Sequence, residues 1–284
     1  MIAVTGATGH LGRLAVERLL DRQVPPGEII ALVRDPAKVS DLAERGIEVR
    51  HADYDRPATL QPALAGVEKL LLVSSPEVGR RLPQHSSVID AAKYAGVGLL
   101  LYTSMLHADT SQVALATEHI GTERYLHGAG VPYLVLRNGW YMENYTRNLD
   151  QVIESGALYG AAGKGRVAAA TRDDYAEAAA VLLTEDHGAG RVFELCGDEP
   201  FTYDELAATI GKVAGTDVVY QNMDPEAYTR ALVESGLPLP AATMATDADE
   251  GIARGDLDSD STDLSDLIHR PTVSLHDVLR DAVM

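Results

Sequence analysis

A chain of 284 residues with 46% hydrophobic and 23% charged content is long enough for one large α/β domain and has the composition of a globular protein. Its formal net charge of −18 argues against sequence-independent binding to nucleic acid or anionic lipid, and no apolar run has the length of a membrane span. The single cysteine, Cys196, excludes an intrachain disulfide, and an N-terminus that opens directly on a strand adds to the expectation of a cytoplasmic protein.

Short apolar runs alternate with helical patterns through the first half of the chain. The predicted strands are residues 2–5, 28–33, 47–50, 69–74, 97–103 and 132–136. The predicted helices are residues 10–21, 36–45, 57–65, 82–95 and 118–127. Such alternation with short connections is typical of a doubly wound parallel sheet, so we predict an α/β fold of the Rossmann type.

The alternation becomes irregular after Arg137. The predicted elements there are helices 145–155, 173–183, 203–214 and 225–234, with strands 191–195 and 218–220 and glycine-marked loops over 160–167. We expect a Rossmann domain over 1–140 and a smaller lobe over 141–284, interleaved because strand 191–195 and helix 173–183 return to the main sheet. Residues 241–284 carry ten acidic side chains against three arginines, a pattern that predicts a solvated acidic surface.

Three glycines follow the first predicted strand in the spacing Gly6-x-x-Gly9-x-x-Gly12, and a helical pattern begins at once. Glycine permits a tight turn and a close backbone approach to a ligand, and a helix start presents free N–H groups to an anion. The run predicts a cradle for a dinucleotide pyrophosphate; the alternative is a tight turn without a ligand. The residues expected to contact the cofactor here are Gly6, Ala7, Thr8, Gly9, His10, Leu11 and Gly12.

The end of the second predicted strand indicates which dinucleotide binds. An acidic residue there suits the ribose hydroxyl of NAD, whereas an arginine suits the 2′-phosphate of NADP. The strand ends in Arg34, and Asp35 follows one residue too late for the usual geometry. Arg13 and Lys38 are further candidates for the same phosphate. The pattern favours NADPH, with a plain surface charge as the alternative for Arg34.

Two more loops lie where strands of the predicted sheet end. Asp53, after the third strand, could accept a hydrogen bond from the adenine amino group, or could serve only as a turn aspartate. Ser74, Ser75 and Pro76 follow the fourth strand. Because ligands of parallel sheets bind at the carboxyl ends of the strands, we expect this loop to run beside the cofactor.

These features carry a family resemblance. The motifs concerned are residues 5–12, Arg34, Ala52-Asp53-Tyr54, Tyr102-Thr103-Ser104 and Leu136-Arg137-Asn138-Gly139. Together they resemble the NmrA-like branch of the atypical short-chain dehydrogenases, and stretches such as 67–72, 106–111 and 137–145 resemble its quinone reductases over essentially the whole chain. The resemblance implies hydride transfer from NADPH to a quinone without flavin. It also implies cofactor contacts at Asn138, Gly139, Trp140, Tyr141, Met142, Glu143 and Arg172, although Arg172 could instead form a structural salt bridge.

One departure from ordinary short-chain dehydrogenases concerns the proton relay. Those enzymes use a Ser, a Tyr and a Lys four residues after the Tyr. Ser104 stands in the Ser position, but Leu115 and His119 stand where the Tyr and Lys belong. The missing general acid disfavours alcohol or ketone chemistry, which must protonate an alkoxide, and suits quinone reduction, whose delocalised product anion takes a proton from water.

The predicted substrate contacts are Tyr141 and Asn144 with Tyr145 after the sixth strand, and His107 opposite them. Tyr141 or Trp140 could stack on a quinone ring, and core packing is the alternative reading of these aromatics. A structural hydrogen bond is the alternative for the histidines. No metal-ligand spacing recurs around His269 or His276, so no metal is expected.

We therefore expect an enzyme acting on a small-molecule quinone, as a monomer or homodimer, with no nucleic acid or membrane partner. The alternatives are a reductase of another conjugated acceptor, such as a triphenylmethane dye, and a non-catalytic NADP-binding redox sensor of the same family.

Overall fold

The computed structural model describes residues 1–283. The strands in this range are β1 (Ile2–Thr5), β2 (Ile29–Val33), β3 (Glu48–His51), β4 (Lys69–Leu72), β5 (Leu99–Met105), β6 (Tyr133–Asn138), β7 (Ala157–Gly160), β8 (Arg166–Val167), β9 (Arg191–Leu195), β10 (Phe201–Thr202) and β11 (Val219–Asn222). The helices are α1 (His10–Asp21), α2 (Ser40–Glu44), α3 (Leu60–Ala63), α4 (Arg81–Ala95), α5 (Ala116–Ala129), α6 (Leu149–Ser155), α7 (Arg172–Thr184), α8 (Tyr203–Ala214), α9 (Pro225–Glu234), α10 (Leu239–Arg254), α11 (Asp263–Ile268) and α12 (Leu275–Val283).

A seven-stranded parallel sheet organises the molecule, with the strand order β3-β2-β1-β4-β5-β6-β9. The chain reverses its direction of winding between the neighbouring strands β1 and β4, and Ile2 of β1 is in register with Ile29 of β2 and with Lys69 of β4. Such a switch point leaves a crevice at the carboxyl ends of the strands, where nucleotides bind in this class of fold. The predicted Rossmann-type architecture is confirmed.

Helices cover both faces of this sheet. Val4, Leu71 and Leu101 pack under α1 and α7 on one face, while side chains that alternate with them pack under α3, α4 and α5 on the other. All five residues of β2 are buried. Burial on both faces explains the continuous apolar runs of these strands, and each buried Val or Leu contributes about 1.5–3 kcal/mol of hydrophobic stabilisation.

Prediction and structure agree on the elements of the first half and differ at several boundaries. The predicted helices 36–45 and 57–65 each begin as a 3-10 turn, Pro36–Val39 and Pro57–Thr59, before a short α-helix follows. Proline lacks an N–H donor and suits such a first turn. The fifth strand begins at Leu99 rather than at residue 97, since Gly98 donates a hydrogen bond to the carbonyl of Glu68 before the strand starts.

The second half returns to the sheet through β9, which pairs parallel with β6, and through α7, which packs on α1. Elsewhere it differs from the prediction. Of the predicted helix 145–155 only Leu149–Ser155, here α6, is α-helical, and a 3-10 turn, Met142–Asn144, precedes it. The predicted loop over 160–167 contains β8, which pairs with β10, while β7 pairs with β11.

The interpretation of residues 241–284 as a solvated acidic surface is wrong for much of this segment. Within its described part it forms most of α10 and all of α11 and α12, and it buries Leu257, Leu264 and Leu279. Arg270 forms an ion pair at 2.7 Å with Asp174, which is fully buried on α7. The acidic residues lie between a few apolar residues that share one face of each helix. The acidic composition of the segment therefore did not reveal the surface through which it packs.

None of the helices in the described range combines the length and apolar character that crossing a membrane requires.

Candidate functional site

A cavity of about 420 Å³ opens at the carboxyl ends of β1, β2 and β4. Its walls come from the glycine run, from the segments after β2, β3 and β4, from the start of α4, and from two residues of the second half. The lining residues are Gly6, Thr8, Gly9, His10, Leu11, Gly12, Leu32, Val33, Arg34, Ala52, Asp53, Tyr54, Asp55, Val73, Ser74, Ser75, Pro76, Glu77, Arg81, Gln84, Tyr141 and Arg172. The volume lies in the range of small-molecule and cofactor sites.

The glycine run forms a cradle that other residues could not build. Gly6 has a φ of +62°, in the left-handed region that disfavours side chains. A Cβ on Gly12 would lie 2.4 Å from the carbonyl oxygen of Gly6. Gly9 precedes α1 and offers no side-chain cap, so the first N–H groups of the helix face the cavity with its positive dipole end. Ala7 is fully buried, and only its backbone could contribute to binding.

Arg34 stands at one end of this cavity with 65% of its side chain exposed. Its Nη1 lies 3.2 Å from a carboxylate oxygen of Glu77, which lines the same cavity. Arg13 instead pairs with Asp41 and Glu17, outside the lining. Arg34 is therefore the arginine placed to meet a phosphate at this end, while Arg13 is held by two carboxylates and Lys38 does not line the cavity.

The segments after β3 and β4 hold the middle of the cavity. Asp53 lines it and also accepts a hydrogen bond from the backbone N–H of Asp55, so it is a turn aspartate whatever it binds. The N–H of Ser75 donates to Nε2 of His85 at 2.9 Å. Burial lowers the pKa of His85 to about 3, so the ring is neutral, and its Nδ1 carries the proton toward Thr122 at 3.0 Å. His85 thereby fixes the loop that carries Ser75.

Arg81 and Gln84, on the first turn of α4, are two of the lining residues that the sequence analysis did not identify. They are 8% and 4% exposed, and each leaves one buried atom, Nη1 of Arg81 and Oε1 of Gln84, without a hydrogen-bond partner in the described chain. Buried polar groups are normally paired, so orphaned atoms at a cavity wall indicate a ligand. No local pattern indicates this role, because Arg81 follows Gly79 and Arg80 in a stretch that has the composition of a surface turn.

Tyr141 and Arg172 close the other end of the cavity. The guanidinium of Arg172 lies 4.3 Å from the centroid of the Tyr141 ring, in cation–π geometry. Glu143 pairs with Arg172 at 3.2 Å, and the Asn144 side-chain oxygen accepts from it at 3.3 Å. Burial raises the pKa of Tyr141, so its hydroxyl remains a hydrogen-bond donor. The predicted salt bridge of Arg172 and its place in the cavity are thus both observed.

The residues around Tyr141 mostly face away from the cavity. Both amide atoms of Asn138, at the end of β6, are buried without a partner in the described residues. The N–H of Gly139 donates to the carbonyl of Leu195, and a Cβ there would lie 3.0 Å from the carbonyl oxygen of Ala168. Met142 and Trp140 pack into the core of the second half. None of these four residues lines the cavity, and Asn138 lies beside the Tyr141 hydroxyl, whose pKa it helps to lower against the effect of burial.

The structure does not bring His107 to the cavity lining. It occupies a left-handed turn after β5, with φ of +52°, and its backbone N–H donates a hydrogen bond to the carboxylate of Glu194 at 3.0 Å. Tyr145 packs edge-to-face against Phe201 and Tyr203 in the second half. Both lie apart from Tyr141 and Arg172, the pair that lines the cavity.

The remnants of the standard proton relay serve structural contacts. Ser104 donates to Glu123 at 2.5 Å, and Glu123 pairs with Arg137 at 2.7 Å. A hydrogen bond of 2.8 Å joins Nδ1 of His119 to the Tyr102 hydroxyl. Burial lowers the pKa of His119 to about 3. Neither residue lines the cavity. The structural reading is therefore the better one for Ser104 and His119.

Residues 1–283 contain no group of three or more His, Cys, Asp or Glu side chains placed to hold a metal ion.

Comparison with known proteins gives consistent likenesses. The model of the NmrA-like family matches residues 1–260. Quinone oxidoreductase 2 of Escherichia coli strain K12 is 51% identical over 97% of this chain and 96% of that protein. The crystal structure of an NADPH-dependent quinone oxidoreductase from Escherichia coli, complexed with NADPH, superposes with a TM-score of 0.97 at 50% identity over 99% of each chain. Triphenylmethane reductase from Citrobacter sp., complexed with NADP(H), superposes with a TM-score of 0.95 at 39% identity over the whole of each chain.

Proposed function

The chain belongs to the NmrA-like family, and from that premise we propose that it is an NADPH-dependent quinone oxidoreductase that works by direct hydride transfer, without flavin. One observation carries the proposal. A single cavity joins the glycine cradle and Arg34 at one end to the Tyr141–Arg172 pair at the other. The first end suits the phosphates of a dinucleotide, and the second offers an aromatic face to a planar acceptor.

The residues of the cradle fit this cofactor. Gly12 lets α1 pack directly against the backbone of Gly6, and the uncapped start of α1 supplies N–H donors to a pyrophosphate. Arg34 is placed for a 2′-phosphate, and Asp53 and Ser74–Pro76 would flank the adenosine. When bound, NADPH supplies the hydride. Asn138 does not line the cavity and would act on the nicotinamide end through Tyr141, whose hydroxyl it reaches.

Substrate positioning falls to the far end of the cavity in this proposal. Tyr141, held by Arg172, would stack on the quinone ring and offer its hydroxyl to a quinone oxygen. Asn144 would act through Arg172, which it holds by a hydrogen bond. Positioning of the two reactants is the main demand on the protein, because a hydroquinone anion is delocalised and water can protonate it. His107 stays a weaker candidate, since it does not line the cavity.

We also propose that residues 1–140 hold the cofactor and residues 141–284 form the substrate-binding side. The reduced state of Cys196, buried and unpaired, suits a cytoplasmic location. The net charge of −18 supports a small-molecule partner rather than nucleic acid. We expect a monomer or a homodimer, and sedimentation analysis distinguishes the two.

The test is to mix the protein, NADPH and a small benzoquinone and to follow the absorbance of the reduced nicotinamide. We expect NADPH consumption well above the protein-free rate. Absence of consumption together with tight NADP binding by calorimetry would favour a redox sensor. Faster turnover of a triphenylmethane dye than of any quinone would favour a dye reductase instead.

A further inference from the structure

Arg81 is a buried cation at the cavity wall, and its guanidinium forms no ion pair in the described chain. It is 8% exposed, and its Nε donates to the backbone carbonyl of Ser75 at 2.5 Å. Its Nη1 is buried and has no partner in residues 1–283. The carboxylate of Glu118 approaches the same turn, but it accepts hydrogen bonds from the backbone N–H groups of Gly79 and Arg81 rather than from the guanidinium. Arginine cannot lose its proton to escape this cost, so an anion is expected beside the guanidinium.

The location of this charge matters because the usual cation of the fold is missing. Ordinary short-chain dehydrogenases place a lysine where His119 stands on α5. Burial, with the charge of Arg81 added to it, lowers the pKa of His119 to about 3, so His119 stays neutral. Burial raises the pKa of Tyr141, and the charge of the same guanidinium partly offsets that rise. Tyr141 and Arg81 line the cavity together. The buried positive charge beside the site is therefore carried by Arg81 on α4 and not by a residue of α5.

We propose that Arg81 takes over the electrostatic role of the absent Tyr–Lys pair, by donating a hydrogen bond from its guanidinium to the quinone oxygen on which negative charge develops. The inference rests on the proposed quinone reductase function. It assigns a catalytic contact to a residue that stands outside the family motifs quoted above, on the first turn of α4.

The step balances with no further reactant. A C–H bond at C4 of the reduced nicotinamide breaks with its electron pair, and a bond forms between that hydrogen and one quinone oxygen. The nicotinamide is oxidised and the quinone is reduced to a hydroquinone monoanion, whose charge lies on the opposite oxygen. Arg81 stabilises that oxygen as its charge grows, and water then supplies the second proton. A preorganised donor aimed at a developing oxyanion is among the largest contributions to enzymatic rate.

A phosphate or another oxygen atom of the cofactor is the second group that could pair with Arg81. Two observations favour the quinone. The cradle and Arg34 already provide for the phosphates at the other end of the cavity. Arg81 lines the cavity together with Tyr141, the aromatic ring proposed to hold the acceptor. The two sources predict different behaviour of the same variants.

The kinetic experiment compares Arg81→Met with Arg81→Lys and with Arg124→Gln, which removes one exposed arginine of α5 outside the cavity. We expect Arg81→Met to lower kcat for benzoquinone by about 100-fold, with the Kd for NADPH within about twofold of the wild-type value. Arg81→Lys should recover part of the loss, and Arg124→Gln should leave kcat unchanged. A loss of NADPH affinity with unchanged kcat would overturn the proposal and assign Arg81 to the cofactor.

The equilibrium experiment removes turnover from the readout. The enzyme saturated with NADP is titrated at mildly alkaline pH with 4-nitrophenolate, an anionic mimic of the product, and with neutral phenol. Wild-type protein should prefer the phenolate, and Arg81→Met should lose that preference by about 10-fold, because a charge-assisted hydrogen bond is lost. Equal binding of the phenolate by both proteins would refute the contact. If the wild-type protein reduced no quinone at all, the proposed function would fail first; quinone reduction that is insensitive to Arg81 would reject this inference alone.

Discussion

Arg81 and Arg137 are two arginines of nearly equal burial and opposite surroundings. They are 8% and 7% exposed. Arg137, on β6, pairs with Glu123 at 2.7 Å, Glu194 at 2.7 Å and Asp109 at 2.8 Å. Arg81, on α4, has no ion pair in the described chain and faces the cavity. Burial removes both guanidinium groups from water, which costs free energy, and only Arg137 recovers that cost through ion pairs within the protein. Arg137 therefore stabilises the fold, whereas Arg81 is available to a ligand.

The pKa directions follow the same division. Burial opposes the charge of both arginines. At Arg137 the hydrogen bonds of Glu123 and Glu194 outweigh burial and raise the pKa, whereas burial prevails at Arg81 and lowers its pKa. Both side chains stay protonated, so the difference is expressed in stability and binding rather than in ionisation.

The largest effect is expected for Arg137→Met. It would leave Glu123 and Glu194 as buried or half-buried charges without their cation, and would release Ser104 from the network. Loss of one partner from a buried ion pair costs about 3–5 kcal/mol, and we expect a decrease of that size in the free energy of unfolding, measured with urea. Asp109→Asn, at the exposed partner, should cost less than about 1 kcal/mol. A loss below that level for Arg137→Met would show that the network contributes little.

The sequence was informative where a chemical demand is local and silent where burial arises from packing. The cradle followed from Gly6, Gly9 and Gly12 alone, because a left-handed turn and a close backbone approach need glycine at fixed spacing. Arg34 and Tyr141 followed from the rule that sites lie where parallel strands end. Arg81 could not be found in this way, since its burial results from the packing of α4 against the loop of Ser75.

The C-terminal helices were missed for a related reason. Helix α10 is rich in alanine and acidic residues, and its buried face consists of small side chains such as Ala242 and Ala248 with Asp249. Such a helix has no strong apolar stripe in its sequence. Asp249 is buried because Tyr203 and the N–H of Ala161 satisfy its two carboxylate oxygens, both at 2.7 Å, which no single-residue property indicates.

Asp249 provides the next largest prediction, because it is a buried charge that can be neutralised. Burial raises its pKa to about 6. The folded state therefore favours the protonated carboxyl, and this contribution to stability is present at acid pH and is lost as the pH rises through about 6. Relative to Asp249→Asn, the wild-type protein should lose about 2–3 kcal/mol of unfolding free energy between acid and neutral pH.

Urea unfolding of both proteins across this pH range measures the difference directly. Asp281→Asn, at an exposed position, is the matched control and should run parallel to the wild-type protein. A constant difference between the wild-type protein and Asp249→Asn at every pH would mean that Asp249 does not titrate in this range.

Arg34 extends the comparison to an exposed arginine. Its pair with Glu77 is on the surface and should contribute little to stability. Arg34→Ala should nevertheless weaken NADPH binding by about 10- to 100-fold, through lost hydrogen bonds to the 2′-phosphate, and should leave NADH within about twofold. Calorimetric titration with both cofactors decides this, with Lys38→Ala as the control outside the cavity. Equal losses for NADPH and NADH would remove Arg34 from cofactor selection.

The smallest effect is expected where burial alone would predict a large one. Arg81→Met removes a cation that has no counter-ion, so it relieves desolvation while losing the hydrogen bond to Ser75. These changes oppose each other, and the free energy of unfolding should stay within about 1 kcal/mol of the wild-type value. Urea unfolding beside Arg137→Met is the measurement, since the two substitutions are chemically identical and equally buried. If Arg81→Met were as destabilising as Arg137→Met, then Arg81 would hold the fold like its counterpart, and its open position at the cavity would have to be explained by packing rather than by a ligand.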